Sequence, residues 1–207
     1  MLDEISKAIQ ERKENDILPL IEEALDLDFT AKEILNDGMV AGMGVVGERF
    51  KKGEVFIPEV MLSAQTMNKG LERLEPLLAK EKVESKGKVL IGTVKDDRHD
   101  IGKNIVSIML KGAGFDIIDL GTNVSTEEFI EKSFEEEPDF VLLSALLTTT
   151  MSNMKQTVQE LQEEGVEATI MVGGAPVTQE FADSINAEFA ENAAETVEKV
   201  NDIVGQK

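Results

Sequence analysis

Apolar residues in the first 80 positions recur with the period of an amphipathic α-helix. Four such stretches are present, and they begin near Leu2, Ile17, Thr30 and Pro58. Thr30 and Glu33 have the spacing of a capping box, which predicts the start of the third helix. Pro58 suits the first turn of the fourth helix. Together the four stretches predict a small four-helix bundle.

After residue 85 the pattern changes to short, continuous runs of Val, Ile and Leu separated by helical stretches. The runs predicted to be strands are VLIGTV (89–94), FDIIDL (115–120), FVLLSA (140–145), ATIMVG (168–173) and, more weakly, AEFA (187–190). Fully apolar strands that alternate with helices are typical of a parallel sheet covered on both faces. The charged segment 78–88 has no apolar period and predicts a linker.

The sequence therefore predicts an α/β protein with two domains. Residues 1–85 would form a helical cap, a four-helix bundle. Residues 86–207 would form a Rossmann-like (flavodoxin-like) domain with a five-stranded parallel sheet. In such sheets ligands bind at the carboxyl ends of the strands. Three polar or glycine-rich segments follow predicted strands and are expected to share that edge; they are KDDRHDIG, SALLTTTM and VGGAP.

Composition narrows the possible functions. The chain has 41 acidic and 21 basic residues, a net charge of −20, so it lacks the basic face that nucleic acid binding requires. It has no cysteine, which excludes disulfides, thiolate metal sites and cysteine nucleophiles and agrees with a cytoplasmic location. The apolar runs are too short to span a membrane and the N-terminus is not a signal peptide, so no membrane partner is expected.

The turn after the first predicted strand excludes the common nucleotide sites. It contains neither the glycine pattern of a dinucleotide fold nor that of a P-loop. A receiver domain shares the predicted sheet and has an acidic pair such as Asp96 and Asp97. It also needs a phosphoacceptor aspartate at the end of the third strand, where this chain has Ser144. The receiver interpretation is therefore disfavoured.

The same turn contains the only histidine of the chain, His99. A structural role is one interpretation. A ligand role is the other, since a carboxylate bonded to one imidazole nitrogen makes the second nitrogen a better metal ligand. One histidine without cysteine cannot build a zinc site. The metal would have to arrive with most of its coordination already filled, as the cobalt of a corrinoid does.

The residues at the three strand ends resemble the cobalamin-binding signature. The matching positions, in the order D-x-H-x-x-G, S-x-L and G-G, are Asp97, His99, Gly102, Ser144, Leu146, Gly173 and Gly174. The segment GMGVVGERFKKGEVFIPEVMLSAQTM resembles the helical cap of the same proteins. The whole chain is similar to the corrinoid proteins of anaerobic three-component methyltransferase systems and to the cobalamin-binding region of methionine synthase.

This resemblance implies that cobalamin binds in the base-off/His-on form. His99 would be the lower axial ligand of cobalt and the only protein ligand to the metal. Asp97 would bond the other nitrogen of His99, and Thr150 would complete the relay where methionine synthase has a serine. Further cofactor contacts are implied at Arg98, Asp100, Gly102, Ser144, Leu146, Thr148, Gly173, Gly174 and Ala193. In the cap, Phe50, Ile57 and Val60 would cover the upper face of the corrin, although most of that stripe can equally be bundle core.

The resemblance also implies a function. The protein would carry a methyl group on cobalt from a substrate-specific methyltransferase to an acceptor methyltransferase that serves tetrahydrofolate or a thiol. A reductive activase would be a third partner, and the carrier alone would not be a complete enzyme. Two alternatives remain: a cobalamin-binding subunit of an adenosylcobalamin-dependent mutase, and a cobalamin sensor. Mutase subunits generally lack the helical cap, and a sensor would normally carry an output module such as a basic DNA-binding domain.

The histidine turn departs from the family at two positions. Relatives read close to G-D-V-H-D-I-G-K-N, whereas Asp96 replaces the glycine here and Arg98 replaces the apolar residue. Asp96 adds negative charge near His99, and Arg98 could offset it by pairing with Asp96 or Asp100. We therefore expect the strength of the axial ligand and the reduction potential of cobalt to differ from those of relatives.

Overall fold

The computed structural model of the protein describes residues 1–81 and 85–205. Contacts divide the chain into two compact units, Met1–Ser85 with Lys111–Gly114, and Lys86–Leu110 with Phe115–Lys207. No helix in the described part of the chain is both long enough and apolar enough to cross a membrane.

The first unit is helical. Its elements are α1 (Leu2–Gln10), α2 (Ile17–Asp26), α3 (Ala31–Glu33), a π-helical segment (Ile34–Val40), α4 (Ala41–Lys51) and α5 (Ile57–Glu81). The segments from Ala31 to Lys51 form one continuous helix, so the predicted four helices are confirmed. The capping box is also confirmed, because the hydroxyl of Thr30 accepts the N–H of Glu33 at 3.1 Å and the carboxylate of Glu33 accepts the N–H of Thr30 at 2.8 Å.

The linker prediction is partly wrong. α5 continues to Glu81, so residues 78–81 are helical. Residues 82–84 of the predicted linker lie outside the described residues. Alanine, lysine and glutamate are good helix formers, and an existing helix extends through them even where no apolar face continues.

The second unit contains a five-stranded parallel sheet. Its strands are β1 (Lys88–Thr93), β2 (Asp116–Asp119), β3 (Phe140–Ser144), β4 (Thr169–Gly173) and β5 (Glu188–Phe189). The helices of this half of the chain are α6 (Ile101–Gly112), α7 (Thr126–Glu136), α8 (Met151–Glu163), α9 (Gln179–Ser184) and α10 (Ala193–Gly205), with a 3₁₀ turn at Thr148–Thr150. The strand order is β2-β1-β3-β4-β5. This is the flavodoxin-like order, in which the topological switch point lies between β1 and β3.

The two faces of the sheet have different environments. One face packs into the main core of the unit, where residues of β1, β3 and β4 meet residues of α7 and α8: Leu90, Val141, Leu143, Ile170, Val172, Phe129, Met154, Val158 and Leu161. The opposite face bears a row of side chains paired in register, Ile91 with Leu142 and Leu142 with Met171. This row of side chains lies close to the carboxyl-end edge of the sheet, where the histidine turn follows β1.

Candidate functional site

The site is organised around the carboxylate of Asp97, which is 0% exposed. Its Oδ1 accepts the backbone N–H of His99 at 3.1 Å and the ring nitrogen Nδ1 at 2.7 Å. Its Oδ2 accepts the backbone N–H groups of Leu146 at 2.8 Å and Leu147 at 3.3 Å, and the hydroxyl of Thr150 at 2.9 Å. Five donors thus converge on one buried carboxylate.

These contacts determine the charge of Asp97. Burial is the largest single influence and by itself raises the pKa of a carboxyl group. The hydrogen bonds from Leu146, from the ring and backbone of His99, and from Thr150 together outweigh burial and hold the pKa of Asp97 well below its usual range. Asp97 is therefore an anion that can only accept hydrogen bonds.

The anion determines the tautomer of His99. Because Asp97 can only accept, the proton must lie on Nδ1 of His99, which donates across 2.7 Å. In the neutral ring the other nitrogen, Nε2, then has the lone pair. It makes no hydrogen bond to any described residue, and the side chain is 51% exposed. His99 thus presents Nε2, the ring nitrogen that is not bonded to Asp97, in a fixed orientation to the space outside.

The position of Thr150 follows from the turn after β3. The 3₁₀ turn Thr148–Thr150, which Leu147 precedes, directs the Thr150 hydroxyl back toward the end of β1. That hydroxyl lies 2.9 Å from both Asp97 Oδ2 and the carbonyl oxygen of Leu147. It has one proton, and the charged carboxylate is the stronger acceptor. The order His99, Asp97, Thr150 is therefore a continuous chain of hydrogen bonds.

Two asparagines fix the turn that carries Asp96. Asp96 has φ +65°, a left-handed conformation that suits a glycine and that aspartate tolerates. The Asn123 side chain accepts the N–H of Asp96 at 2.8 Å, and the Asn153 side chain donates to the carbonyl of Lys95 at 2.7 Å. Arg98 is exposed and makes no ion pair with Asp96 or any other described residue. The compensating pair considered from the sequence is not formed.

A cavity of about 590 Å³ opens beside His99 within the second unit. Its floor is the apolar row of Ile91, Leu142 and Met171 on the sheet face described above. The first turns of α6 and α10 form two of its walls, and the segments after β3 and β4 border it. The cavity therefore combines an apolar interior with a polar mouth that includes His99.

Two glycines shape this cavity in different ways. Gly174 has φ +130°, and a Cβ there would lie 1.8 Å from the carbonyl oxygen of Ala145. The segment after β4 can thus approach the segment after β3 only with glycine at this position. A Cβ on Gly102 would meet no protein atom within 4 Å. It would project into open space at the cavity wall.

The structure brings most of the sequence-predicted site residues together. Those that line the cavity are Arg98, His99, Asp100, Gly102, Ser144, Leu146, Gly173, Gly174 and Ala193. Asp97 and Thr150 lie behind His99 and support it. Thr148 is exposed and starts the 3₁₀ turn, and it is not part of the cavity lining.

The three cap residues lie in the first unit. Phe50 is half-buried near the end of α4, and Ile57 starts α5 with an exposed side chain. Exposed apolar neighbours continue this surface at Phe56, Met61 and Leu62. Val60 is fully buried in the helical core. The contact of these three residues with a cofactor stays a prediction.

Sequence reasoning missed a further set of cavity residues. They are Ile91, Lys103, Val106, Leu142, Met171, Glu191, Asn192 and Thr196. The strand members could be found only from the register, because neighbouring positions in the middle of these strands are apolar on both faces. Thr196 lies one helical turn after Ala193, so helical periodicity was the available signal for it.

The geometry fits a corrinoid better than a bare metal ion. The described residues contain no group of three or more His, Asp or Glu side chains able to hold a metal. They offer one free imidazole nitrogen beside a large cavity with an apolar floor. That donor set suits a metal that brings its other ligands with it.

Comparison with known proteins gives the family. Residues 87–200 match a model described as a B12 binding domain, and residues 1–75 match a second model with the same description. A corrinoid protein of Desulfitobacterium hafniense (strain Y51) is 42% identical over 212 residues, covering 100% of this chain and 98% of that protein. The dimethylamine corrinoid protein of Methanosarcina barkeri is 42% identical over 208 residues, covering 99% of this chain and 97% of that protein.

Solved structures agree with the sequence relatives. A chain of the methanol:cobalamin methyltransferase complex MtaBC from Methanosarcina barkeri has a TM-score of 0.89 and 32% identity, covering 98% of this chain and 79% of that chain. A cobalamin-binding protein from Desulfitobacterium hafniense DCB-2 has a TM-score of 0.81 and 30% identity, covering 98% of each chain. The chain therefore belongs to the B12-binding corrinoid proteins of methyltransferase systems, and its cofactor is a corrinoid.

Proposed function

We propose that this protein is a methyl carrier that holds its corrinoid in the base-off/His-on form, with His99 as the lower axial ligand. A bound corrinoid supplies a cobalt atom that can accept a methyl group from a donor and give it to an acceptor. The observation that carries the proposal is the 2.7 Å hydrogen bond from His99 Nδ1 to Asp97. It leaves Nε2 free and oriented at the mouth of the cavity.

Asp97 acts on the ligand nitrogen through the ring. An anion bonded to Nδ1 fixes the tautomer and raises the basicity of Nε2, which strengthens the histidine as a ligand. The Thr150 hydroxyl and the Leu146 amide keep Asp97 ionised and in place. These residues hold the proton on Nδ1 and away from the atom that would bind cobalt.

The cavity is proposed to receive the nucleotide tail of the corrinoid once its base has left cobalt. The floor of Ile91, Leu142 and Met171 offers apolar surface to an aromatic base. Gly102 leaves open space in the wall where a larger side chain would stand. Arg98 and Asp100 lie at the polar mouth, where the amide-bearing rim of a corrin ring could meet them.

The proposed partners are a substrate-specific methyltransferase, an acceptor methyltransferase and a reductive activase. Relatives named for dimethylamine and trimethylamine are 42% and 44% identical to this chain, and the similar structure named above comes from a methanol system. These likenesses support a small methylated amine or methanol as the methyl donor. Acceptor specificity for tetrahydrofolate or a thiol would reside in the second methyltransferase.

A carrier is favoured over the two alternatives. The helical first unit matches a B12-binding model over residues 1–75, a feature that cobalamin subunits of mutases generally lack. The same unit has more acidic than basic residues, unlike a DNA-binding output module. The features of both halves of the chain thus support methyl transfer.

The ligand assignment can be tested with the single histidine of the chain. Protein labelled with ¹⁵N at histidine only and loaded with cob(II)alamin is examined by electron paramagnetic resonance. We expect the triplet splitting of an axial ¹⁴N to become a doublet, because the only labelled ring is that of His99. The His99→Ala variant should keep some cobalamin and lose the absorbance of the His-on form. An unchanged triplet in labelled protein would disprove ligation by His99.

Methyl transfer itself is tested with the loaded and reduced protein. Candidate methyltransferases are supplied with isotope-labelled dimethylamine, trimethylamine or methanol, and the label that becomes attached to the carrier is counted. Transfer from one donor at a rate that falls sharply in His99→Ala supports a carrier. Absence of transfer with every enzyme and donor, in protein that is fully loaded and His-ligated, would exclude this role.

A further inference from the structure

Lys103 is a buried cation that the function proposed above does not use. It is the third residue of α6, and its side chain is 2% exposed. A lysine so far from water needs a partner, because an isolated buried charge is costly. The partner is Asp119 at the end of β2, whose two carboxylate oxygens both bond the ammonium, Oδ1 at 2.7 Å.

The ammonium of Lys103 has no donor to spare. It carries three N–H groups. Two are accounted for by the oxygens of Asp119, and the third by the side-chain carbonyl oxygen of Asn104 at 2.7 Å. Lys103 borders the cavity, but a ligand there could bond its nitrogen only by breaking one of these contacts. The side chain therefore links α6 to the end of β2 and is not available to bind a ligand.

Hydrogen bonds connect the Lys103–Asp119 ion pair to the end of β1. Asp119 Oδ1 also accepts the N–H of Gly121 at 2.8 Å, and the carbonyl of Gly121 accepts the N–H of Thr93 at 2.9 Å. The Thr93 hydroxyl in turn donates to the carbonyl of His99 at 3.0 Å. Lys103 is thus joined to His99 through Asp119, Gly121 and Thr93.

A second path of hydrogen bonds from Lys103 toward His99 is shorter. The carbonyl of Asp100 accepts the N–H of Asn104 at 2.8 Å, which closes the first turn of α6 directly after His99. Lys103 bonds the side chain of Asn104 in the same turn. With its ring half-exposed, His99 has little packing of its own and depends on hydrogen bonds for its position.

We infer that Lys103 and Asp119 position His99 as a cobalt ligand by tying the start of α6 to the end of β2. The inference rests on the proposed ligand role of His99. Without the ion pair, the start of α6 is no longer tied to the end of β2. The hydrogen bonds from His99 to Asp97 are left untouched. The ring should then sample orientations in which Nε2 no longer faces the ligand position.

The test compares two lysines with ion pairs on the same unit. Lys103→Met keeps the length and apolar stem and removes the charge. Lys88→Met is the matched control, because Lys88 bonds Glu136 at the opposite end of β1. Each ¹⁵N-histidine protein is saturated with cob(II)alamin, and three quantities are measured: the fraction of cobalt with a ¹⁵N doublet, the affinity by equilibrium dialysis, and the melting temperature of the apoprotein.

We expect Lys103→Met to lower the doublet fraction and to weaken cobalamin binding about tenfold, at the low end of the effect of removing outer partners of a metal ligand. Lys88→Met should keep the wild-type fraction and affinity even if it melts earlier. Asp119→Asn should resemble Lys103→Met, and Lys103→Arg should restore most of the doublet.

Each other result contradicts the inference. A lower melting temperature with a wild-type doublet in Lys103→Met would make the ion pair purely structural. Weaker binding with a wild-type doublet would make Lys103 a direct contact of the cofactor. Absence of the doublet in the wild-type protein would instead overturn the ligand role of His99, and the two failures are thereby distinguished.

Discussion

Thr150 and Asp97 are 53 residues apart in the chain, yet the Thr150 hydroxyl lies 2.9 Å from Asp97 Oδ2 and both side chains are buried. The contact joins the turn after β3 to the turn after β1. These are the two strands that flank the topological switch point of the sheet. The hydrogen bond that orients Asp97, which in turn supports His99, therefore also joins the two turns at this edge of the sheet.

Replacing Thr150 tests this double role. Thr150→Val keeps the shape and removes the hydroxyl, so the free energy of unfolding of the apoprotein should fall by about 1.5–3 kcal/mol, as for a buried hydrogen bond to a charged group. Urea unfolding measures the change. The control is Thr148→Val in the same turn, whose exposed hydroxyl has no hydrogen bond to a described residue. Equal effects in the two variants would show that the Asp97 contact contributes nothing.

Removing the charge of Asp97 should be more damaging. In Asp97→Asn an amide group that donates replaces one carboxylate oxygen, and it must face either the donors on Oδ1 or those on Oδ2. We expect a loss of about 1–3 kcal/mol in the free energy of unfolding for each buried donor that is left unpaired. Asp116→Asn, at an exposed position on β2, is the control and should change little. A similar loss in both variants would argue against this account.

Lowering the pH should reveal how much the Asp97 carboxylate contributes to stability. Because the pKa of Asp97 is held below its usual value in the folded protein, the unfolded chain takes up this proton first as pH falls. The contribution of Asp97 is complete above the unfolded-state pKa of about 3.9. It is lost as pH falls from there through the lower folded-state pKa. Below about pH 4, wild-type stability should therefore decrease more steeply than that of Asp97→Asn. Parallel curves would contradict this prediction.

Two glycine substitutions should have opposite consequences. Gly174→Ala places a Cβ 1.8 Å from the Ala145 carbonyl oxygen at φ +130°, so the apoprotein should be severely destabilised or fail to fold. Gly102→Ala meets no protein atom and lies in the first turn of α6, where alanine favours the helix by up to about 1 kcal/mol. Its apoprotein should be at least as stable as wild type, yet bind cobalamin more weakly, because the methyl group enters the cavity. Melting curves and equilibrium dialysis measure both effects.

Periodicity and capping were enough to predict most elements of the fold. The continuous Val/Ile/Leu runs become strands of a parallel sheet, and Thr30 caps the third helix. The π-helical segment Ile34–Val40 has no comparable sequence signal. The extension of α5 past residue 78 was missed because helix propagation through Ala, Lys and Glu does not require an apolar face.

The candidate site was predictable where it consists of contiguous motifs at strand ends. The histidine turn is such a motif, and its proximity to Thr150 follows from parallel strands sharing one edge. The cavity floor depends on register, since Ile91, Leu142 and Met171 become neighbours only when three apolar strands pair at particular positions. Lys103 resembled an ordinary surface lysine because its burial depends on Asp119, a residue 16 positions away.

The hydrogen bond from His99 to Asp97 joins two residues of the same turn and is made entirely by groups of the chain. Folding itself thus fixes the ring orientation and the proton position that a ligand nitrogen requires. An imidazole held in this way would be preorganised for a corrinoid and would leave little ordering entropy to overcome at that atom. If His99 is the cobalt ligand, one corrinoid could then be exchanged for another without refolding of the histidine turn.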